Sequence, residues 1–377
     1  MTYASLPPEL ADHERKWIRV AADLSRAFAE TAAQFDDAAE IPVANLKALH
    51  AAGLDAFFLP ASLGGGGGSA LAFGEVVRLI SAGDPSTACI WVMHVGAAVG
   101  LSLRTTDNLG TFYADEYLAG KRFANALTEP AGGSAFLLPQ QAAEPVDGGF
   151  RLSGSKRFVS GCEIADYLVL NVLIDNQPTF FGVIPDETVK FIPVWDTLGL
   201  RASRSQLVSF EGTLLRAEHR SRPPLPGDPN PIGAGLAPLS LGIADAALKA
   251  LIAHARARIV PTTGEPLAKL QWVQFAVAEA STKLEAAIAY TRQALRQIDA
   301  GTAEPLLLLR AKLLANEVAR EIGQLGISVG GATGFLRSSP IQRHFRDAQA
   351  GGLMAYSIET SKSFIGQALL EAEEVQS

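Results

Sequence analysis

Few side chains in this 377-residue chain stand at spacings that announce chemistry on their own. The six histidines (His13, His50, His94, His219, His254, His344) are scattered, and neither H-x-x-x-H nor H-E-x-x-H occurs. The two cysteines, Cys89 and Cys162, lack partners at metal-ligand spacing, so no metal site is expected. Five consecutive glycines, Gly64 to Gly68, invite comparison with a phosphate-cradling loop. No GK[ST] follows them, so a flexible surface turn before a helix near Leu71 is expected instead. His94, in the apolar run CIWVMHVGAAVG, is either a core histidine with satisfied hydrogen bonds or a pocket residue.

These residues need a scaffold, and composition bounds it. Hydrophobic residues make up 48% and charged residues 19%, the balance of a well-buried globular protein. The net charge is −7 and there is no Lys/Arg-rich run, which argues against nucleic acid as a partner. Two cysteines in so long a chain point to a reducing compartment. The N-terminus carries no secretory pattern and no stretch approaches the ~20 apolar residues of a membrane span. A cytoplasmic protein without membrane attachment is expected.

The chain reads as helices, then strands, then helices. Residues 9–118 have helical spacing, punctuated at Pro42, Gly53 and Gly83-Asp84-Pro85. From about Arg122 to Arg222 the apolar residues fall in short runs such as YLVLNVLI and TFFGVIP, as in an antiparallel barrel or sandwich. The segment SRPPLPGDPNPIG marks a boundary, and Ala/Leu-rich helices follow over about 236–258, 267–300, 304–329 and 357–374. The expected class is α+β, with a helical domain at 1–120, a β-barrel at 121–222 and a helical bundle at 232–377. The long apolar helices of the last block imply a homo-oligomer, a tetramer or at least a dimer.

Four segments carry a family resemblance. Ala126-Leu127-Thr128-Glu129-Pro130-Ala131-Gly132-Gly133-Ser134 resembles the first signature of the acyl-CoA dehydrogenase superfamily. GSKRFVSG (154–161), LGLRASRSQLVSFEGTLL (198–215) and GGATGFLRSSPIQRHFRDAQAG (330–351) are similar to later segments of that family, in the same order. The resemblance spans nearly the whole chain. It implies the acyl-CoA dehydrogenase-like fold, with a C-terminal four-helix bundle, and a flavin cofactor, FAD or FMN. Leu127 and Thr128 would contact the pyrimidine side of the ring, Gly132 and Gly133 would admit backbone, and Ser134 would face a phosphate. Phe158 and Ser160 would lie against the ring.

The departures from the family pattern bear on the reaction. In acyl-CoA dehydrogenases a Glu after the Arg-Asp segment removes the α-proton of a thioester. Aligned on Arg346-Asp347-Ala348, that position is Ala355. Other members place the base on an earlier helix, but the stretch from Ile232 to Gly242 holds no Asp or Glu, and Asp228 lies back in the proline-rich loop. The family's Arg-x-x-Phe-Gly, which reaches a neighbouring subunit's FAD, becomes Arg256-Ala257-Arg258-Ile259, and a glutamine before the Gly-Gly turn becomes Ile327. Such changes imply a looser hold on the cofactor tail, with flavin bound in its reduced form. FVSGCEIADY and LRSSPIQRHFRDA resemble reduced-flavin monooxygenases of this fold, which take flavin from a separate flavin reductase and act with O₂. The histidine several of those carry is Met354 here.

The expected function is therefore a flavin-dependent oxidoreductase, a monooxygenase acting on a small-molecule substrate. The alternative is an acyl-CoA dehydrogenase with a relocated base, and a third reading is a non-enzymatic flavoprotein. His94 and Glu359, the latter one helical turn after Ala355, are the catalytic candidates. Glu359 is equally read as a solvated or capping residue. Trp91, Met354 and Ala355 are the candidate pocket wall.

Overall fold

A computed structural model of the chain describes residues 7–132, 136–304 and 306–371. Gly133 and Ser134, expected at the flavin, lie outside the described residues. Five helices come first: α1 (Asp12–Ala38), α2 (Val43–Ala51), α3 (Ala70–Gly83), α4 (Pro85–Arg104) and α5 (Asp107–Leu118). Local chemistry sets their starts. The Asp84 side chain accepts from the backbone N–H of Ser86 and Thr87, with Pro85 in the first turn, so α4 begins where its orphan donors are satisfied. Glu14 accepts from Ala11 N at 2.9 Å and Ser69 N at 2.8 Å, tying the start of α1 to the start of α3.

Eight strands follow: β1 (Phe123–Ala126), β2 (Glu144–Val146), β3 (Gly149–Val159), β4 (Tyr167–Ile174), β5 (Gln177–Val183), β6 (Val189–Ile192), β7 (Gln206–Arg216) and β8 (Arg220–Ser221). They form two four-stranded sheets, ordered β1-β4-β5-β8 and β2-β3-β7-β6. Only the β1–β4 pair is parallel among the named pairs. Leu152, Leu168, Leu170, Phe181, Val208 and Phe210 fill the core between the sheets. β4 is apolar on both faces because one packs into this core and the other meets the helices, where Tyr167 and Val169 join the helical core.

Five helices close the chain: α6 (Pro231–Ala257), α7 (Gln271–Asp299), α8 (Leu307–Phe335), α9 (Pro340–Gly351) and α10 (Ile358–Glu371). α9 falls between the stretches expected as helices, 304–329 and 357–374. Ser339 caps it and Pro340 occupies its first turn, so these residues initiate it. α8 kinks at Gly331, whose φ of +53° is open to glycine. The first and last helices do not form separate cores. Residues of α1, α3, α4, α6, α7 and α8 share one hydrophobic cluster. The α3–α6 approach needs Gly242, where a Cβ would lie 2.3 Å from the Arg78 carbonyl oxygen. Buried Arg78, paired with Glu75 on α3 and Asp245 on α6, locks that crossing.

The glycine run differs from expectation. It is neither a flexible turn nor a phosphate cradle. The backbone N–H groups of Gly64 to Gly68 all donate to carbonyls of residues 56–61. A Cβ at Gly65 would lie 2.0 Å from Leu59 O, and one at Gly66 would lie 2.3 Å from the Trp17 ring. Glycine is required there for close packing.

Candidate active site

A cavity of about 810 Å³ lies where α4, β1, α6, α8 and the turn after α9 converge. Its wall is largely apolar, with Leu127, Phe136, Val169, Phe180, Ile232 and Leu236 prominent. Gly96 on α4 keeps the wall thin, since a Cβ there would meet Ile232 at 2.4 Å. Ala355 and Tyr356 line the cavity, and Ala355 holds a positive φ of 24°. Both places where the family puts a base, the turn at Ala355 and the start of α6 at Ile232, therefore face this cavity. Neither carries a carboxylate.

Two carboxylates, Asp228 and Glu371, do line the cavity among the described residues, and neither stands at a position where the family puts its base. Asp228 accepts from Arg222 Nη1 at 2.7 Å and Nη2 at 2.8 Å, and from Leu225 N at 2.9 Å. Arg104 Nε lies 3.4 Å away. The Arg222 hydrogen bonds lead in holding the Asp228 carboxyl down at about 2, so it is a poor proton acceptor. Glu371 stands at the exposed end of α10, where Gln367 Nε2 donates to it at 2.7 Å.

The described flavin-side candidates lie at the ends of β1 and β3. Leu127 lines the cavity, and its neighbour Thr128 accepts from Arg157 N at 2.7 Å. That bond sets the end of β1 against the end of β3. There Phe158 adopts φ +62° with half its ring surface exposed, under the Arg157 guanidinium at 4.2 Å. Ser160 is buried, with its hydroxyl 2.8 Å from that of Ser205 and 3.8 Å from Cys89 Sγ. The end of β3 thus presents an exposed aromatic face beside strand-end backbone, while the Ser160 hydroxyl is enclosed against Ser205.

Glu129 explains how these strand ends are held. Its buried carboxylate accepts from Lys156 Nζ at 2.8 Å, Gln140 N at 2.9 Å and Gln141 N at 3.2 Å. Lys156, wholly buried, also donates to Asn171 O at 2.6 Å and Oδ1 at 3.1 Å. Burial pushes the Lys156 pKa down and the Glu129 hydrogen bond draws it back up. The loop after β1 is thus pinned to β3 and β4 by a fully enclosed ion pair.

The remaining candidates lie elsewhere. His94 does not reach the cavity. Its Nδ1 accepts from Phe123 N at 3.0 Å, and Nε2 lies 3.5 Å from Asp55 Oδ2. Burial drives its pKa down, so it is a neutral core histidine. Trp91 is also core: its Nε1 donates to Asp55 Oδ1 at 2.9 Å. Asp55 itself, which the sequence did not single out, gathers Trp91, His50 and Arg122 around one buried carboxylate. Met354 packs partly buried against the helical core. Glu359 is exposed, and its carboxyl is held low first by a backbone hydrogen bond and then by Ser357. Arg256 is exposed in the last turn of α6.

Sequence comparison agrees with the geometry. Residues 12–112 match the acyl-CoA dehydrogenase N-terminal domain and residues 234–356 match its C-terminal domain. The chain belongs to the acyl-CoA dehydrogenase superfamily. A short-chain specific acyl-CoA dehydrogenase of Bos taurus is 28% identical over 361 residues, covering 90% of this chain and 86% of that one. A 3-sulfinopropanoyl-CoA desulfinase of Paraburkholderia xenovorans is also 28% identical, covering 90% and 92%. The structure of FMN-bound TdsC from Paenibacillus sp. A11-2 superposes with a TM-score of 0.84 at 20% identity, over 95% of this chain and 98% of that one. The protein is a flavin-dependent enzyme of acyl-CoA dehydrogenase fold.

Proposed function

We propose that this member of the superfamily is a monooxygenase, using reduced flavin and O₂ on a small organic substrate. One observation carries the proposal: the cavity beside the flavin-side residues presents alanine and aliphatic side chains at both positions where a dehydrogenase needs its base. Removing an α-proton requires an acceptor within about 2.6–3.2 Å of the reacting group, and such a group is worth roughly a hundred- to ten-thousandfold in rate. Oxygen chemistry instead requires water to be kept out, which an apolar wall does. Family membership alone leaves the reaction open, since relatives at equal identity are named as a dehydrogenase and a desulfinase.

Bound flavin supplies the redox chemistry. Leu127, Thr128, Phe158 and Ser160 are the residues that would hold its ring, and Glu129 with Lys156 fixes their loop. A separate flavin reductase is the natural source of reduced cofactor. Self-association fits the exposed apolar residues Trp272, Phe275, Phe335, Leu336 and Leu353 on the last helical block. Contrary to the expectation that no stretch approaches the length of a span, α4 and α6 are long and apolar enough to cross a membrane; they are 83% and 78% buried over their apolar windows, which supports a protein of the aqueous phase.

Titration with FMN, FAD and their reduced forms, followed by stopped-flow mixing with O₂, tests the reading. Tighter binding of the reduced form and an absorbing species between reduced and oxidised flavin are expected. Stoichiometric oxidised FAD and no such species would overturn it.

A further inference from the structure

Lys312 is the one buried cation without a carboxylate partner among the described residues. Arg78, Lys156 and Arg343, the other Lys and Arg residues in that buried class, each face an Asp or Glu. Lys312 has only 4% of its surface exposed, yet it lines the active-site cavity. Its Nζ donates to Tyr356 O at 2.9 Å and Gly351 O at 3.1 Å, on either side of the turn that carries Ala355. An ammonium has three donors, so one remains after these two neutral acceptors. One helical turn along α8, Asn316 uses its Oδ1 to accept from Ser240, and its buried amide nitrogen has no acceptor. A second donor without an acceptor thus lies one helical turn from Lys312.

Isolated buried charges are costly and are retained where a partner arrives or the group gives up its proton. Burial pushes the Lys312 pKa down to about 8. The groups packed around it are Ser240 of α6, Asn316 of α8 and backbone carbonyls after α9. The other titratable side chains of the cavity are Tyr356, Glu371, and Asp228 with its partner Arg104, and no carboxylate comes within 4.0 Å of Nζ.

We infer that Lys312 is a substrate-recognition residue, and that the cavity takes an amphipathic ligand whose carboxylate, or equivalent anionic end, supplies the missing partner to this ammonium. The inference rests on the assignment of this cavity as the substrate site. It does not depend on whether the reaction is oxygenation or dehydrogenation.

Isothermal titration of the full chain with octanoate and its neutral analogue octanamide tests it, with buffers of different ionisation enthalpy at about pH 7 and about pH 9. A carboxylate that pairs with Lys312 raises its pKa. Binding at about pH 9, above a free value of about 8, must then take up most of one proton, and binding at about pH 7 only a small fraction. Octanoate should bind at least about tenfold tighter than octanamide, as charge-assisted hydrogen bonds require. Lys312→Met should weaken octanoate about ten- to a hundredfold, leave octanamide within about twofold, and abolish the proton uptake. If that variant does not fold, the proton count on the native chain decides the matter alone. Equal affinity for the two probes, no binding of octanoate, or binding at high pH without proton uptake would overturn the role of Lys312. Ala355→Phe, which fills the cavity beside Lys312, separates the two levels. If both probes still bind this variant unchanged, the cavity assignment is what fails.

Discussion

Replacing Glu129 by alanine should loosen the loop after β1 from within. Glu129 is 5% exposed and Lys156 0%, so the substitution leaves an ammonium enclosed with only Asn171 as an acceptor. Breaking a buried pair from one side costs about 3–5 kcal/mol. The two backbone N–H groups released at Gln140 and Gln141 add little, because Gln140 is exposed and Gln141 half-buried, so water can reach them. The expected loss is therefore about 3–5 kcal/mol and not the larger sum of every lost bond. The double change Glu129→Leu with Lys156→Met removes the stranded charge. It leaves only the buried Asn171 acceptors unsatisfied, at about 1–3 kcal/mol, so it should be more stable than the single variant. Both variants remove the buried tie between the loop and β3 while Thr128 O still accepts from Arg157 N, so both should bind flavin more weakly. Urea denaturation followed by circular dichroism gives the stabilities, and flavin titration gives the affinities. A single variant within about 1 kcal/mol of the parent, or a double variant no more stable than the single, would refute the pinning argument.

Three further outcomes are expected. His94→Gln should lower stability by disturbing the Asp55 cluster while leaving the flavin dissociation constant within about twofold, by denaturation and titration; a large loss of flavin-linked activity at unchanged stability would restore His94 as a site residue. Asp228→Asn should reduce thermal stability near neutral pH and progressively less in acid. The folded pKa of about 2 lies below the ordinary 3.8, so the stabilising contribution is present above that ordinary value and is lost as pH falls through about 2. A difference in melting temperature that stays constant from about pH 6 to pH 3 would contradict this. Phe335→Glu combined with Leu353→Glu, at positions 74% and 77% exposed, should lower the mass seen by light scattering. A native chain already monomeric at micromolar concentration would remove the self-association proposal.

The fold class was legible because its signals are local. Helical spacing, short strand runs and the Pro/Gly boundary each depend on neighbours in sequence, and the family segments fixed their order. What stayed hidden depends on distant partners. Asp55 looks like a loop residue until Trp91, His50 and Arg122 converge on it. His94 could not be sorted between pocket and core without Phe123 N, its hydrogen-bond donor. Asp228 was set aside as remote in the proline-rich loop, yet that loop folds back onto the cavity wall. Lys312 offered one overlooked signal, a lone lysine amid the aliphatic run LLLLRAKLLAN. Glu129 sat inside the quoted signature, but nothing in its neighbours foretold that Lys156 would close over it.

The Ala355 turn carries no proton acceptor where a dehydrogenase needs one. The most direct measurement is anaerobic mixing of the flavin-loaded chain with short, medium and branched acyl-CoAs while the oxidised-flavin absorbance is followed. No bleaching is expected beyond the rate of a baseless site, roughly a hundredfold or more below a competent dehydrogenase. Rapid, stoichiometric bleaching by any of these thioesters would contradict it.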